Sequence, residues 1–314
     1  MLDPKIIPYG YTVTRVIQGA ENDRFWAAAV TSASGASCFL KAVNPLHSNQ
    51  DDLKIRLARQ CYYYNSVAPV LGSIETLGKH FRLRSPRVLE MQDGWYICEF
   101  VSHSPIHLGS LAWEKTGEVL ASLLASLNDN RFTELFPVEK SPTRFDNLDD
   151  AVDGWKLLST AVDMGVLTSS MITDGRGVIR RHAGSLTSMI QHSDCAPAHI
   201  LVGETLGSSE IVLIDPERSA PENPRLYDLA CLYVRIISYT SNWDFARLVL
   251  RRFLEQQDLP VSYLMENGFL SLMTLRALGI CCDSVADLYM LDYRKDARQL
   301  LDLCLSERVE ALIG

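Results

Sequence analysis

The hydrophobic pattern of this chain changes period once, near residue 110, and that change limits the fold more than any other feature. Up to Phe100 the apolar residues alternate or form β-branched runs at Tyr11–Gln18, Phe25–Thr31, Cys38–Val43, Arg87–Met91 and Trp95–Phe100. Gly or Asn separates them, which predicts the strands of an antiparallel sheet. One segment breaks the pattern. In Asp51–Ala68, Leu53, Leu57, Gln60, Cys61 and Tyr64 recur at helical spacing, and Asp51 and Asp52 suit an N-terminal turn. Beyond Leu111 helical spacing dominates, over Trp113–Leu127, Leu148–Met164, Val178–Ile190, Tyr227–Ile237, Asn242–Gln256, Val261–Leu278 and Ser284–Leu312. Two short strands, His199–Val202 and Glu210–Ile214, interrupt it. The expected class is α+β, with a small antiparallel-sheet lobe over residues 1–102, a linker near Val101–Ser110, and a larger, mainly helical lobe over 103–314.

Composition narrows the function classes. A chain of 314 residues with 47% hydrophobic and 22% charged residues can bury a full core. Lys and Arg total 30 against 38 Asp and Glu, a formal charge of -8, which argues against nucleic acid as a partner because that role needs a basic face. The eight cysteines lie among apolar neighbours without a Cys-x-x-Cys pair, so they read as buried reduced thiols. The N-terminus MLDPKIIPYG has no basic segment leading into an apolar run, and no stretch is long enough to span a bilayer. A cytoplasmic protein with no membrane association is the expectation.

The segment His192–Val202, HSDCAPAHILV, carries the most chemistry, together with Ile211–Glu217, IVLIDPE, and Tyr227–Ala230, YDLA. Asp194 follows His192 by two positions, and His199 comes five later, just before an apolar strand. Asp215 ends a run of aliphatic residues. Phosphoryl transfer asks for a carboxylate to orient or deprotonate the attacking hydroxyl and for separate ligands to hold a metal on the phosphates. Asp194 suits the first role and Asp215 the second. Either Asp alone is equally well read as the cap of a turn; the two together, in this order, are not.

This series resembles the aminoglycoside-phosphotransferase and choline-kinase-like family, whose pattern is H-G-D-x-x-x-x-N, then I-D-W-E or I-D-x-E, then D-L-A. The resemblance implies a protein-kinase-like bilobal fold, with Asp194 as catalytic base, Asp215 as metal ligand, and His192 and Asp228 supporting the catalytic loop. It extends over nearly the whole chain. Gly19–Val30, with Gly19 and Asn22 in its turn, is similar to the family's nucleotide-covering hairpin, although such a turn alone signals only a hairpin. Lys41, inside the strand CFLKAV, matches the lysine that holds the α- and β-phosphates; the competing reading is an edge-strand lysine turned to water. Glu99–Val101, in WYICEFV, resembles the hinge whose backbone meets the nucleotide base.

Four positions depart from that pattern. His199 replaces the metal-binding asparagine, and imidazole suits manganese or zinc better than hard magnesium; His199 could equally serve a backbone carbonyl. Gln60 stands where the family's helix glutamate pairs with the strand lysine, and a neutral amide offers roughly half the strength of a charge-assisted bond. Ser193 replaces glycine, which reads as mild because serine is common in turns. Pro216 follows Asp215 and removes an N–H donor. The resemblance thus implies an ATP- or GTP-dependent phosphotransferase, with magnesium or manganese, acting on a hydroxyl of a small molecule such as an aminoglycoside, an amino alcohol or a sugar. The alternative is a pseudokinase or nucleotide-binding regulatory module with a protein partner. Asp153, Trp155, Asp163, Asp174, Trp243 and Asp244 are candidate acceptor contacts, although such residues are more often core or solvated faces.

Overall fold

The computed structural model of the chain describes residues 7–20, 23–109, 112–137, 145, 147–155, 157–205, 208–286 and 291–314. The chain divides into two compact units: Met1–Ser73, His80–Pro105 and Ala198–Ser219 form the first, and Ile74–Lys79, Ile106–Pro197 and Ala220–Gly314 the second. The first unit therefore takes in Ala198–Ser219, a segment that the sequence reading assigns to the helical lobe.

The strands are β1 (Tyr11–Gln18), β2 (Phe25–Ser32), β3 (Ser37–Val43), β4 (Ser73–Thr76), β5 (Lys79–Arg84), β6 (Val88–Gln92), β7 (Trp95–Glu99), β8 (Ser104–Pro105), β9 (Ile200–Thr205) and β10 (Ser208–Leu213). One sheet runs in the order β1-β2-β3-β7-β6 and is antiparallel throughout. Because side chains on a strand alternate between faces, each strand here serves two purposes. Trp26, Ala28, Val30, Cys38, Leu40 and Ile97 point to one face and form its buried cluster. The residues between them, Ala27, Phe39, Lys41, Tyr96 and Cys98, point to the other. The register sets Lys41 opposite both Ala27 and Tyr96, and Phe39 opposite Cys98.

The second sheet runs β4-β5-β10-β9-β8, with β10 parallel to β5 and antiparallel to β9. The sequence reading missed β4 and β5. Their alternation is visible in the buried Ile74, Thr76, Phe81 and Leu83, and Leu77 and Gly78 both adopt positive φ (55° and 69°) in the turn between them, as a tight hairpin turn requires.

Helix α1 (Gln50–Tyr62) follows β3 and continues through a wider π-helical turn, Tyr63–Val67. Its buried stripe is Leu53, Leu57, Gln60 and Cys61, so helical spacing carries a polar residue inward along an apolar face. The remaining helices are α2 (Trp113–Leu127), α3 (Arg131–Leu135), α4 (Leu158–Asp163), α5 (Ser169–Ala183), α6 (Tyr227–Thr240), α7 (Trp243–Gln256), α8 (Ser262–Glu266), α9 (Phe269–Asp283), α10 (Leu291–Leu305) and α11 (Glu310–Ile313). Helix α9 is apolar on nearly every side and buried along almost its whole length, the pattern of a central core helix. Thr168 and Asn242 cap α5 and α7, their side chains accepting from Met171 N (3.2 Å) and Phe245 N (3.0 Å).

Four expected helices are shorter or divided, among them Ser284–Leu312, which is α10 followed by the short α11. Val261–Leu278 splits at Gly268, whose φ of 63° is left-handed; a Cβ there would lie 2.7 Å from Leu186 Cδ2 and 2.9 Å from the carbonyl oxygen of His182, so only glycine fits. Helix α5 ends at Ala183, after which the chain extends: Met189 N donates to Asn223 O (2.9 Å) and Arg225 N to Thr187 O (2.8 Å). Leu148–Met164 is a 3-10 segment, Leu148–Gly154, followed by α4. All eight cysteines are free and buried, as expected. Among the described residues no helix is long and apolar enough to cross a membrane.

Candidate active site

In the first unit, Lys41 stands on β3, a central strand flanked by β2 and β7, so the edge-strand reading does not hold. Its side chain is 7% exposed. The Nζ lies 4.5 Å from the centroid of the Phe25 ring, donates to Gln60 Oε1 at 3.1 Å and pairs with Asp215 Oδ1. Gln60 therefore reaches the lysine, as its place on the helix predicts. It also donates from Nε2 to Tyr64 Oη at 2.8 Å, and that hydroxyl accepts from Asp215 N at 3.0 Å. Tyr64 sits one turn beyond Gln60 on the same face, so the amide links the strand lysine to the backbone of the Asp215 loop.

His199 and Asp215 meet because they stand at matching ends of a hairpin. Ile200 pairs with Leu213 across β9 and β10, and Ile214 N donates to His199 O at 3.0 Å. His199 Nε2 then lies 3.8 Å from Asp215 Oδ2. Asp215 holds a left-handed backbone, φ 64°, a region that Asp tolerates better than most residues. Pro216 follows, and its carbonyl accepts from Ser219 N (3.0 Å), closing a turn that returns Glu217 toward Lys41.

Glu217 is the residue that sequence reasoning passed over. Its side chain is 5% exposed, with Oε2 3.6 Å from Lys41 Nζ and Oε1 3.3 Å from Arg24 Nη1 and 3.4 Å from Arg56 Nη1. Its position in IDPE, two residues after Asp215, was the available signal. The three cations come from three separate segments, and nothing local in the sequence joins them.

Lys41, Gln60, His199 and Asp215 line a cavity of about 310 Å³. Gln18, Tyr64 and Glu99 add to its polar lining, and Ile17, Ala27, Phe39, Leu201 and Ile214 are among its apolar walls. Glu99 and Val101 line it as well, with the Glu99 side chain turned to an ion pair with Arg84. Gly19 immediately follows β1 at the start of the β1–β2 connection; Asn22 lies outside the described residues. Of the groups expected to act together in this unit, Lys41, Gln60, His199, Asp215, Glu99 and Val101 share one cavity.

The second unit carries Asp194. The segment before it is fixed by Asp228, in the first turn of α6 and fully buried. Asp228 Oδ2 accepts from His192 N and Oδ1 from Ser193 N, each at 2.7 Å. Burial pushes the Asp228 carboxyl up to about 7, while those backbone N–H groups pull the other way and nearby Asp194 adds to the rise. Ser193 has φ 67°. Replacing glycine there is therefore a larger change than turn statistics imply, because a Cβ in the left-handed region costs about 1–2 kcal/mol. The Ser193 hydroxyl offsets part of this by bonding Gln191 O (3.3 Å) and Asn223 Nδ2. Three of the acceptor candidates already have structural partners: Asp153 pairs with Arg176, Trp243 Nε1 donates to Asp296 Oδ1 at 3.1 Å, and Asp244 Oδ1 lies 3.7 Å from Arg247 Nη1.

No protein-family model matches the sequence, and a search of curated proteins finds no match. Solved structures do match along almost the whole chain. A choline kinase from Cryptosporidium parvum is similar at 12% identity and TM-score 0.58, covering 96% of this chain and 90% of that one. A Plasmodium vivax ethanolamine kinase is similar at 15% identity and TM-score 0.56, covering 94% and 83%. A thermostable mutant of the aminoglycoside phosphotransferase APH(4)-Ia, in ternary complex with ADP and hygromycin B, is similar at 13% identity and TM-score 0.57, covering 95% of each.

Proposed function

Starting from a chain that has the protein-kinase-like fold of the aminoglycoside phosphotransferases and choline kinases, we propose that it is a small-molecule kinase. It moves the terminal phosphoryl group of ATP, or of GTP, to a hydroxyl of an aminoglycoside-like, amino-alcohol or sugar acceptor. The observation that carries this reading is the buried Lys41 ammonium facing Asp215, both lining a largely apolar cavity. A buried cation on a strand interior is costly unless it serves a partner or a ligand, and a triphosphate would take the place of the Asp215 carboxylate beside it. The apolar walls suit a purine base, and the segment through Glu99 and Val101 offers backbone groups to its edge.

A divalent ion fits the residues present, within limits. Asp215 offers a carboxylate and His199 an imidazole 3.8 Å away. Among the described residues no cluster of three or more His, Cys, Asp or Glu could hold a metal alone. An ion shared with phosphate oxygens is therefore the form this donor set supports, and when bound it would neutralise charge on the phosphates. Imidazole favours manganese over magnesium. Asp194 is the base: its carboxylate takes the proton of the acceptor hydroxyl as the oxygen–phosphorus bond forms and the nucleoside diphosphate leaves.

Calorimetric titration of the purified protein with ATP, run with magnesium, with manganese and without metal, tests this directly. Binding that requires a divalent ion, is tighter with manganese, and weakens in Asp215→Ala is the expected result. Absence of ATP and GTP binding under all three conditions would falsify the reading. Binding without turnover on any hydroxyl acceptor would favour the nucleotide-binding regulatory module, the reading for which the neutral Gln60 beside Lys41 speaks.

A further inference from the structure

We infer that Glu217, from the loop that carries Asp215, is the acidic residue that positions Lys41 for phosphate binding, in place of an acid on α1. This rests on the kinase reading above. Helix α1 presents only the neutral Gln60 to Lys41, and a hydrogen bond from an ammonium to an amide leaves the cation uncompensated inside the fold. Glu217 supplies the compensation from another direction. Its carboxylate is nearly sealed from solvent, and both oxygens are engaged, Oε2 with Lys41 and Oε1 with Arg24 and Arg56.

The charges around this carboxylate balance. Lys41, Arg24 and Arg56 give three positive charges, and Asp215, Glu217 and Asp52, which holds Arg56 at 2.7 Å, give three negative ones. Asp215 is the more exposed partner of Lys41, at 33% against 5% for Glu217, and it is the group a metal would draw away. Once Asp215 turns to a metal, Glu217 and the neutral Gln60 are the groups left at the ammonium. Glu217 is thus a positioning residue: it acts on phosphate through Lys41 and needs no contact with the nucleotide. Because it lies two residues from Asp215, the loop that holds the metal ligand also holds the lysine.

The test is calorimetric titration of the full chain with ATP and with adenosine, which has no phosphates for Lys41 to hold. Glu217→Gln is expected to weaken ATP about tenfold, the size of one lost charge-assisted contact, and to leave adenosine affinity unchanged. Adding Gln60→Glu to that variant moves the negative charge onto α1 and restores ATP affinity to within about threefold of wild type. A purely structural role for Glu217 would lower both affinities together and would not be rescued from the helix. Wild-type ATP affinity in Glu217→Gln, or a double variant no better than the single, overturns the inference. If Glu217→Gln does not fold, Gln60→Met decides: ATP affinity within about threefold of wild type supports Glu217 as the anchor, and a loss of tenfold or more assigns that role to Gln60. Failure of the wild-type protein to bind ATP would instead remove the kinase reading on which the inference depends.

Discussion

The two polar centres of this protein are held in different ways. In the first unit, Lys41, Asp215 and Glu217 are held by one another, ion against ion, with Arg24 and Arg56 completing the set. In the second, the backbone before Asp194 is held by a single buried carboxylate, Asp228, taking two main-chain N–H bonds of 2.7 Å. On the proposed function, phosphate would replace Asp215 beside Lys41 and a metal would replace Lys41 beside Asp215, so that each charge keeps a counterpart. The hydrogen bonds of the second run to the main chain itself. The proposed phosphoryl transfer would use both properties: a cation whose counter-ions are replaced as a nucleotide enters, and a base whose position does not depend on the ligand.

The largest effects should separate the centres by function. Asp194→Asn is expected to lower turnover by about 100- to 10,000-fold, the usual contribution of a general base, while ATP affinity stays within about twofold because the proposed function gives the nucleotide to the other centre. Steady-state kinetics beside calorimetry measure both, and a parallel loss of binding would show that Asp194 also holds the nucleotide. Lys41→Met should do the reverse, weakening ATP first. It should also destabilise the fold by about 3 kcal/mol, the low end for breaking a buried ion pair, because Glu217 keeps two arginines and Asp215 is one-third exposed. Chemical denaturation reads that figure; an unchanged midpoint would mean that the lysine contributes nothing to the folded state.

The next effect concerns the buried carboxylate and pH. Asp228 titrates at about 7 in the folded protein, raised above its ordinary 3.8 chiefly by burial. Between those values the folded state keeps a proton that the unfolded chain releases, so stability from this group is complete below 3.8 and is lost as pH rises through about 7. Asp228→Asn cannot titrate. Its denaturation midpoint should therefore lack this fall, so that wild type loses ground to the variant between pH 5 and pH 8. At every pH the variant offers one oxygen and one NH2 to two N–H donors, a mismatch costing about 1–3 kcal/mol. Parallel pH profiles for the two proteins would mean that Asp228 is ionised throughout and held by its backbone bonds alone.

The same contrast explains what could be read from the sequence. Short motifs made Asp194, Asp215 and Asp228 candidates, and the family resemblance pointed to Lys41 and Gln60, of which Lys41, Gln60 and Asp215 do meet. The hub at Glu217 was not legible, because its partners at residues 24, 41 and 56 converge only after β2, β3, α1 and the β10 loop have packed. Errors in secondary structure have the same origin. Leu186, Met189 and Ile190 continue the apolar pattern of α5, yet the backbone there is taken up by Asn223 and Arg225, a tertiary pairing that overrides local preference. The split of the last core helix at Gly268 is likewise set by the approach of Leu186 and His182.

The smallest effect lies at Ser193, and it measures how rigid the second centre is. Ser193 occupies a left-handed conformation that glycine reaches freely, and it keeps its place through bonds from its hydroxyl to Gln191 O and Asn223 Nδ2 and from its N–H to Asp228. Ser193→Ala removes the hydroxyl bonds and retains the Cβ, whereas Ser193→Gly removes both. If the backbone is held in this conformation by Asp228, the glycine variant should be the more stable of the two by about 1 kcal/mol, the cost of a Cβ at positive φ, because neither keeps the hydroxyl bonds. Equal stability would mean that the loop relaxes out of the left-handed region once the hydroxyl is gone. The hydroxyl, rather than Asp228, would then hold the segment that presents Asp194, and the second centre would depend on exchangeable side-chain bonds as the first does.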